Sequence, residues 1–289
     1  MVEHCQFLRV GELAAIVGDD TARGPGTGEY SGLWSLVHDS CPAGAFQAAY
    51  AGLIASAHRG TGPTLERLDE NAARLVRGPC DRNPHATVSG TYRLAAPHYV
   101  DYTYDVEFTA DADALPRCIR HSWCSYMNSP LDPSIHFIEN NLWTSLTPVV
   151  HGDGATVLPT GLDPAHRSEW EMRTGEARFS DQEHFANSFS GKTFDYPFYF
   201  GKLHGLIYLL MVDVHRDFRI FLSPSGAGYS AVPGLASPAW DFEWVIWDPK
   251  PGQTRRLNVR LALMAASAFT LPQQVWSEWE TFRSIHELR

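Results

Sequence analysis

The sequence is short of cysteine, of basic charge and of long apolar runs, and each shortage removes a class of protein. Its 289 residues include five cysteines, Cys5, Cys41, Cys80, Cys118 and Cys124. They are odd in number and scattered, with no Cys-x-x-Cys pair. That excludes a zinc ribbon and argues against a disulfide framework. Free thiols and a cytoplasmic location are the expectation, and Cys124, inside a strand-like run, reads as packing and not as a nucleophile. Lys and Arg number 23 against 33 Asp and Glu, for a net charge of -10. There is no dense basic run, so no nucleic-acid partner is expected, because phosphate neutralisation needs clustered Lys and Arg. The longest apolar run, residues 206–212, falls well short of the about 20 residues a membrane helix needs. Met1-Val2-Glu3-His4 is not a basic leader, so neither signal peptide nor membrane partner is expected. Gly-x-Ser-x-Gly is also missing, which disfavours a Ser/His/Asp hydrolase.

What is present points to a large core. Hydrophobic residues make up 44% of the chain and aromatics 12%, while only 19% are charged, too few for a mostly disordered protein. No composition shift marks a boundary, so the whole of 1–289 is expected to be one domain.

The periodicity is that of strands. Residues 99–108 alternate cleanly, with Val100, Tyr102, Tyr104, Val106 and Phe108 against Asp101, Thr103, Asp105 and Glu107. Further strands are predicted at 34–38, 46–54, 118–127, 134–138, 142–150, 155–158, 194–200, 203–214, 218–223 and 255–264. The run 203–214 is apolar on both faces and should be central in its sheet. Residues 64–77 fit either a helical stripe or a hairpin turning at Asp69-Glu70-Asn71, and the β-rich surroundings favour the hairpin. A short helix is predicted at 10–17 within an otherwise irregular N-terminal segment, about 1–29. A second follows the capping box Ser180-Asp181-Gln182-Glu183. A terminal helix opens at Pro272 and runs to about 287, with Val275, Trp276, Trp279, Phe282, Ile285 and Leu288 on one stripe. Many strands, few helices and no βαβ rhythm give an all-β fold, a large antiparallel β-sandwich.

Two glycine-rich runs carry little. Gly24-x-Gly26-x-Gly28 does not open a helix after a strand, as dinucleotide binding requires. Ser223-Pro224-Ser225-Gly226-Ala227-Gly228 resembles an anion cradle, but no helix pattern follows to add its dipole.

The run Trp240-Asp241-Phe242-Glu243-Trp244 is the most informative. On a pleated strand its aromatics point one way and its acids the other. Asp241 and Glu243 then have Cα atoms about 6.6 Å apart, at roughly 3.3 Å per residue. That spacing lets the carboxyls work as a pair on a sugar, although any i, i+2 acidic pair shares it. The plainer reading is a half-buried strand with a wet acidic face. Trp123-Cys124-Ser125-Tyr126-Met127-Asn128-Ser129-Pro130 ends a strand with a polar tip, where Asn128 can meet a sugar diol. Asn128-Ser129-Pro130 is equally good turn chemistry. Phe194 to His204 offers Asp195, Tyr199, Lys202 and His204 near strand ends. His136, Glu139 and His151 are plausible ligands for a divalent metal, but their spacing matches no metal signature, and His151-Gly152-Asp153-Gly154 is also a good hairpin turn.

Several runs together resemble a group of uncharacterised bacterial proteins: Tyr92-Arg93-Leu94 through Pro97-His98-Tyr99-Val100-Asp101-Tyr102, Ser125 to Pro130, His151-Gly152, and Ser237-Pro238-Ala239-Trp240-Asp241-Phe242. The strand-rich layout is similar to the galactose-mutarotase-like supersandwich, shared by sugar epimerases, polysaccharide lyases and some glycosidases. The resemblance implies a site on the concave sheet face with a histidine acid and a carboxylate base, and assigns neither role to a numbered residue.

The resulting expectation is a carbohydrate-active enzyme using acid/base chemistry at or near the anomeric carbon, as an epimerase (an isomerase), lyase or hydrolase. His136, His151, Asp195 and Glu243 are the catalytic candidates. Trp123, Tyr126, Asn128, Tyr199, Lys202, His204, Trp240 and Asp241 are the substrate-contact candidates. The alternatives are a carbohydrate-binding protein without catalysis and, more weakly, a metal-dependent enzyme using His136, Glu139 and His151. No cofactor is expected beyond that divalent ion. The partner is a small sugar or oligosaccharide, and an exposed antiparallel edge would allow a homodimer.

Overall fold

The structure, a computed structural model, describes residues 4–20, 30–47, 52–59, 62–81, 83–147, 156–162, 189–223, 237–267 and 270–288. Nine strands form one sheet. In spatial order they are β11 (Leu142–Leu146), β10 (Ile135–Glu139), β14 (Phe198–Leu203), β15 (Leu206–Val212), β18 (Thr254–Ala265), β8 (Tyr99–Phe108), β7 (Ala86–Ala95), β6 (Ala72–Arg77) and β5 (Thr64–Asp69). Six form a second: β13 (Phe189–Phe194), β12 (Thr156–Pro159), β16 (Phe218–Ser223), β17 (Ala239–Trp247), β9 (Cys118–Cys124) and β4 (Ile54–Ala55). A three-stranded sheet of β1 (Cys5–Val10), β2 (Leu13–Gly18) and β3 (Gly32–His38) joins the same core. Nearly every pairing is antiparallel; β12 with β13 is parallel.

The two large sheets pack face to face. Tyr102 and Tyr104 of β8 meet Trp123 of β9 and Phe242 of β17 in one apolar cluster. Trp123 stacks on Phe242 at 4.7 Å between centroids. This interior also holds phenols, each with a partner, as burial of a hydroxyl demands. The Trp123 Nε1–H donates to the Tyr102 hydroxyl at 3.1 Å, and the Tyr199 hydroxyl donates to the Trp240 carbonyl at 2.9 Å. β15 is buried at every position, as an apolar run covered on both sides must be. Its outer face is covered by α1 (Leu271–Ile285), whose Val275, Trp279 and Phe282 pack on Phe198, Ile207, Leu209 and Met211.

Two local expectations are corrected. Residues 10–17 are not a helix, and the N-terminal segment is not irregular over residues 5–18, because β1 and β2 form a hairpin there. Leu13, Ala15 and Val17 alternate into the core, a period of two that the intervening Ala14 and Ile16 hide in the sequence. Gly11 makes the turn at φ +55, and a Cβ there would sit 2.3 Å from the Pro97 carbonyl oxygen. Residues 64–77 are the hairpin β5–β6. The helix expected after Ser180 and the Gly24, Gly26 and Gly28 run lie outside the described residues.

Candidate active site

The alternation of β17 decides which groups meet. Trp240, Phe242, Trp244 and Ile246 point into the core, so Asp241 and Glu243 face outward from the six-stranded sheet. On β9, Ile119 and Trp123 belong to that core, so Arg120, Ser122 and Cys124 share the outward face. On β16, Phe218, Ile220 and Leu222 fill the core and Arg219 faces outward. The register aligns these side chains in rows. Arg219 lies opposite Glu243, and Glu243 opposite Ser122. One step on from the Phe242–Trp123 pair, Cys124 lies across from Asp241. Tyr126 continues the row beside Ala239.

This face is charged and yet buried. Asp241 is 5% exposed, Glu243 1% and Arg219 2%. A buried charge needs compensation, and Glu243 has it, with Arg120 Nε 3.1 Å from its Oε1. Its Oε2 makes no hydrogen bond among the described residues. Burial lowers the Arg219 guanidinium to about 9, against the pull of Glu243.

Asp241 is handled differently. Its Oδ1 accepts the Ser125 backbone N–H at 2.8 Å. Burial pushes its carboxyl up to about 7, while the Ser125 N–H and the Arg59 charge hold it down in part. Arg59 also lies over the Tyr30 ring at 4.7 Å, and Tyr30 meets the edge of Tyr126. The Cys124 thiol is pushed up to about 12 by burial and by Asp241, and the Tyr126 hydroxyl is raised by burial and by Cys124 and Asp241. Near neutral pH the row is therefore two protonated donors beside a carboxyl poised to give or take a proton.

Asp241, Glu243 and Tyr126 are thus brought together, and the other expected site residues are not. Trp123, Tyr199 and Trp240 are corrected from ligand contacts to core residues, since each is fully buried between the sheets with its polar atom spent inside. The aromatics of β17 cannot share a cleft with its acids, because they occupy opposite faces. Asp195 is a loop clasp, its Oδ2 accepting the Asn141 N–H at 2.7 Å and its Oδ1 the Thr160 hydroxyl at 2.8 Å. Asn128 donates to the Ala43 carbonyl at 2.7 Å, and His204 turns the β14–β15 hairpin with its Nε2 2.6 Å from the Asn128 carbonyl. His136 is on the nine-stranded sheet, stacked on Phe200, with Asp132 3.7 Å away and Lys202 as a charged neighbour. Glu139 accepts the Thr193 backbone N–H at 2.7 Å. His151 lies outside the described residues, and among those described no three His, Cys, Asp or Glu side chains gather as metal ligands would.

Arg59, Arg120, Arg219 and Cys124 were not foreseen. Arg219 alone left a signal, a single cation in the apolar strand FRIFLS, where an unpaired charge would be costly.

No family model and no curated protein matches the chain. Solved structures do. One is described as a "Putative aldose 1-epimerase" from Escherichia coli K12, with TM-score 0.52 and 11% identity over 91% of this chain and 99% of that one. The fold is the galactose-mutarotase-like supersandwich. A GalM/aldose epimerase homologue from C. elegans has TM-score 0.43 and 9% identity, covering 91% of this chain and all of the other. A 4-alpha-glucanotransferase from Thermococcus litoralis has TM-score 0.45 and 9% identity, over 89% of this chain and 37% of the enzyme. These two stand too far from this supersandwich to carry an argument.

Proposed function

We propose that this protein is a carbohydrate-active enzyme that moves protons at the anomeric centre of a sugar, with aldose anomerisation as the leading reaction. One observation carries the reading: a buried carboxyl held near neutrality, Asp241, stands two residues from the ion-paired Glu243 on the same outward face. Two carboxyls in unlike surroundings can divide acid and base roles. In anomerisation, Asp241 gives its proton to the ring oxygen as Glu243 takes the proton of the anomeric hydroxyl. The ring opens to the free aldehyde, turns about one bond and closes by the reverse transfers. Anomerisation is the leading reaction because it asks only for these two proton transfers, and a structure described as a putative aldose 1-epimerase shares the fold.

The test is polarimetry on freshly dissolved aldoses, with parallel assays for elimination and hydrolysis on oligosaccharides. Asp241→Asn and Glu243→Gln should each lower the anomerisation rate at least about 100-fold, the usual worth of a positioned acid or base. The wild-type rate should break near pH 7 with Asp241. Full activity in Asp241→Asn would overturn the assignment. Sugar binding with no turnover in any assay would leave a binding protein.

A further inference from the structure

The two ends of the nine-stranded sheet are built differently. At one end β5 carries Glu66, Arg67 and Asp69, and its pairing with β6 is broken by a register shift between Arg67 and Asp69. Charge and a bulge are the devices that keep an edge from pairing with another chain. At the other end β11 has the sequence LWTSL, with no charge, no proline and no register shift against β10. It also presents apolar surface. Leu142 is 71% exposed and Trp143 39%, and Leu131, in the loop before β10, is 77% exposed. Among the described residues, three of the seven exposed large hydrophobic side chains thus belong to β11 or to the loop that leads into its partner strand. The Trp143 ring is braced from behind by Phe200, edge to face at 5.6 Å. The charged side chain nearest the strand is Lys192, whose Nζ donates to the Thr144 hydroxyl at 3.4 Å, and Asp132 and Lys202 lie further back on the same end of the sheet.

The backbone sets a register for such a copy. The β10–β11 hairpin closes at Glu139–Leu142 through Asn140 and Asn141, at φ +52 and +61, as a two-residue turn. In that geometry Leu142, Thr144 and Leu146 spend their N–H and C=O groups on β10, and Trp143 and Ser145 direct theirs outward. We propose that β11 is the seam of a homodimer, in which a second copy of this chain adds its own β11 antiparallel, with Thr144 on the two-fold axis. Trp143 of one copy then exchanges both backbone hydrogen bonds with Ser145 of the other. Leu142 lies opposite Leu146 of its partner, which takes the exposed Leu142 side chain out of water. The seam lies on the sheet opposite Asp241 and needs nothing of the catalytic reading.

The test is sedimentation velocity over a concentration series, with two variants. Wild type should run at twice the chain mass at about 50 μM, above the Kd of an ordinary specific interface. Ser145→Pro removes an outward N–H without touching the β10 ladder and should shift the protein to monomer with its thermal unfolding unchanged. Thr144→Cys should form a covalent dimer under mild oxidation, because facing residues that exchange no hydrogen bonds sit about 4.5 Å apart at Cα, within disulfide reach. The native cysteines all lie off β11, so wild type is the control. Monomer at every concentration would overturn the seam. So would a dimer that Ser145→Pro leaves intact and Thr144→Cys fails to cross-link.

Discussion

Asp241 carries its proton at a cost that depends on pH. Its folded-state pKa is about 7 against an unfolded value of 3.8. The folded chain therefore holds the proton more tightly. That contribution to stability is complete below about pH 4 and is lost as pH rises through 7. Asp241→Asn is neutral in both states and escapes the loss. In urea denaturation the variant should gain on wild type between pH 4 and pH 8, by up to about 4 kcal/mol at 1.36 kcal/mol per unit. A difference that stays flat across that range would show that the carboxyl is not held up. The same group thus ties stability to the proposed chemistry: the burial that would suit Asp241 to proton transfer destabilises its ionised form.

Among the elements, α1 separates stability from the site most cleanly. Its Trp279 is buried against Phe198 and beside Phe282, on the outer face of the nine-stranded sheet. Trp279→Ala should cost about 3–5 kcal/mol, as large-to-small core changes do. It should also raise binding of an apolar dye, since Phe198, Ile207 and Leu209 lose their cover. The break near pH 7 in any catalytic profile should stay where it is, because α1 and Asp241 lie on different sheets. A moved break would mean that the two faces are coupled through the core. Elements differ, too, in how well the chain announces them. β8 coincides with its expected bounds because tyrosine and valine alternate there with charge over ten residues. β2 was misread because alanine and isoleucine stand where a polar residue would have marked the outward side.

At the scale of the molecule, the architecture was legible and the site only half so. Periodicity is local, and it exposed the strands, the terminal helix and the two faces of β17. The candidate site is assembled by register between strands far apart in sequence: Arg120 and Cys124 on β9, Arg219 on β16, Asp241 and Glu243 on β17. No spacing along the chain reveals that these share a row. Burial was the other missing quantity. The sequence showed an acidic pair but not that its face is closed, and closure is what lifts Asp241 from a solvated carboxylate to a carboxyl that titrates near 7.

The phenols inside the sandwich give the molecule an alkaline limit. Among the described residues, seven tyrosines are held above the ordinary phenol range, chiefly by burial: Tyr92, Tyr102, Tyr104, Tyr199 and Tyr208 between the sheets, Tyr126 on the outward face of the six-stranded sheet and Tyr99 beneath α1. A raised phenol stabilises the fold below about pH 10 and withdraws that support above it. In a spectrophotometric titration these rings should stay silent through pH 10 and then ionise together as the sandwich opens. The return branch, taken from the opened chain, should run at lower pH than the outward one. In base, this protein's ultraviolet spectrum becomes a clock for its own unfolding.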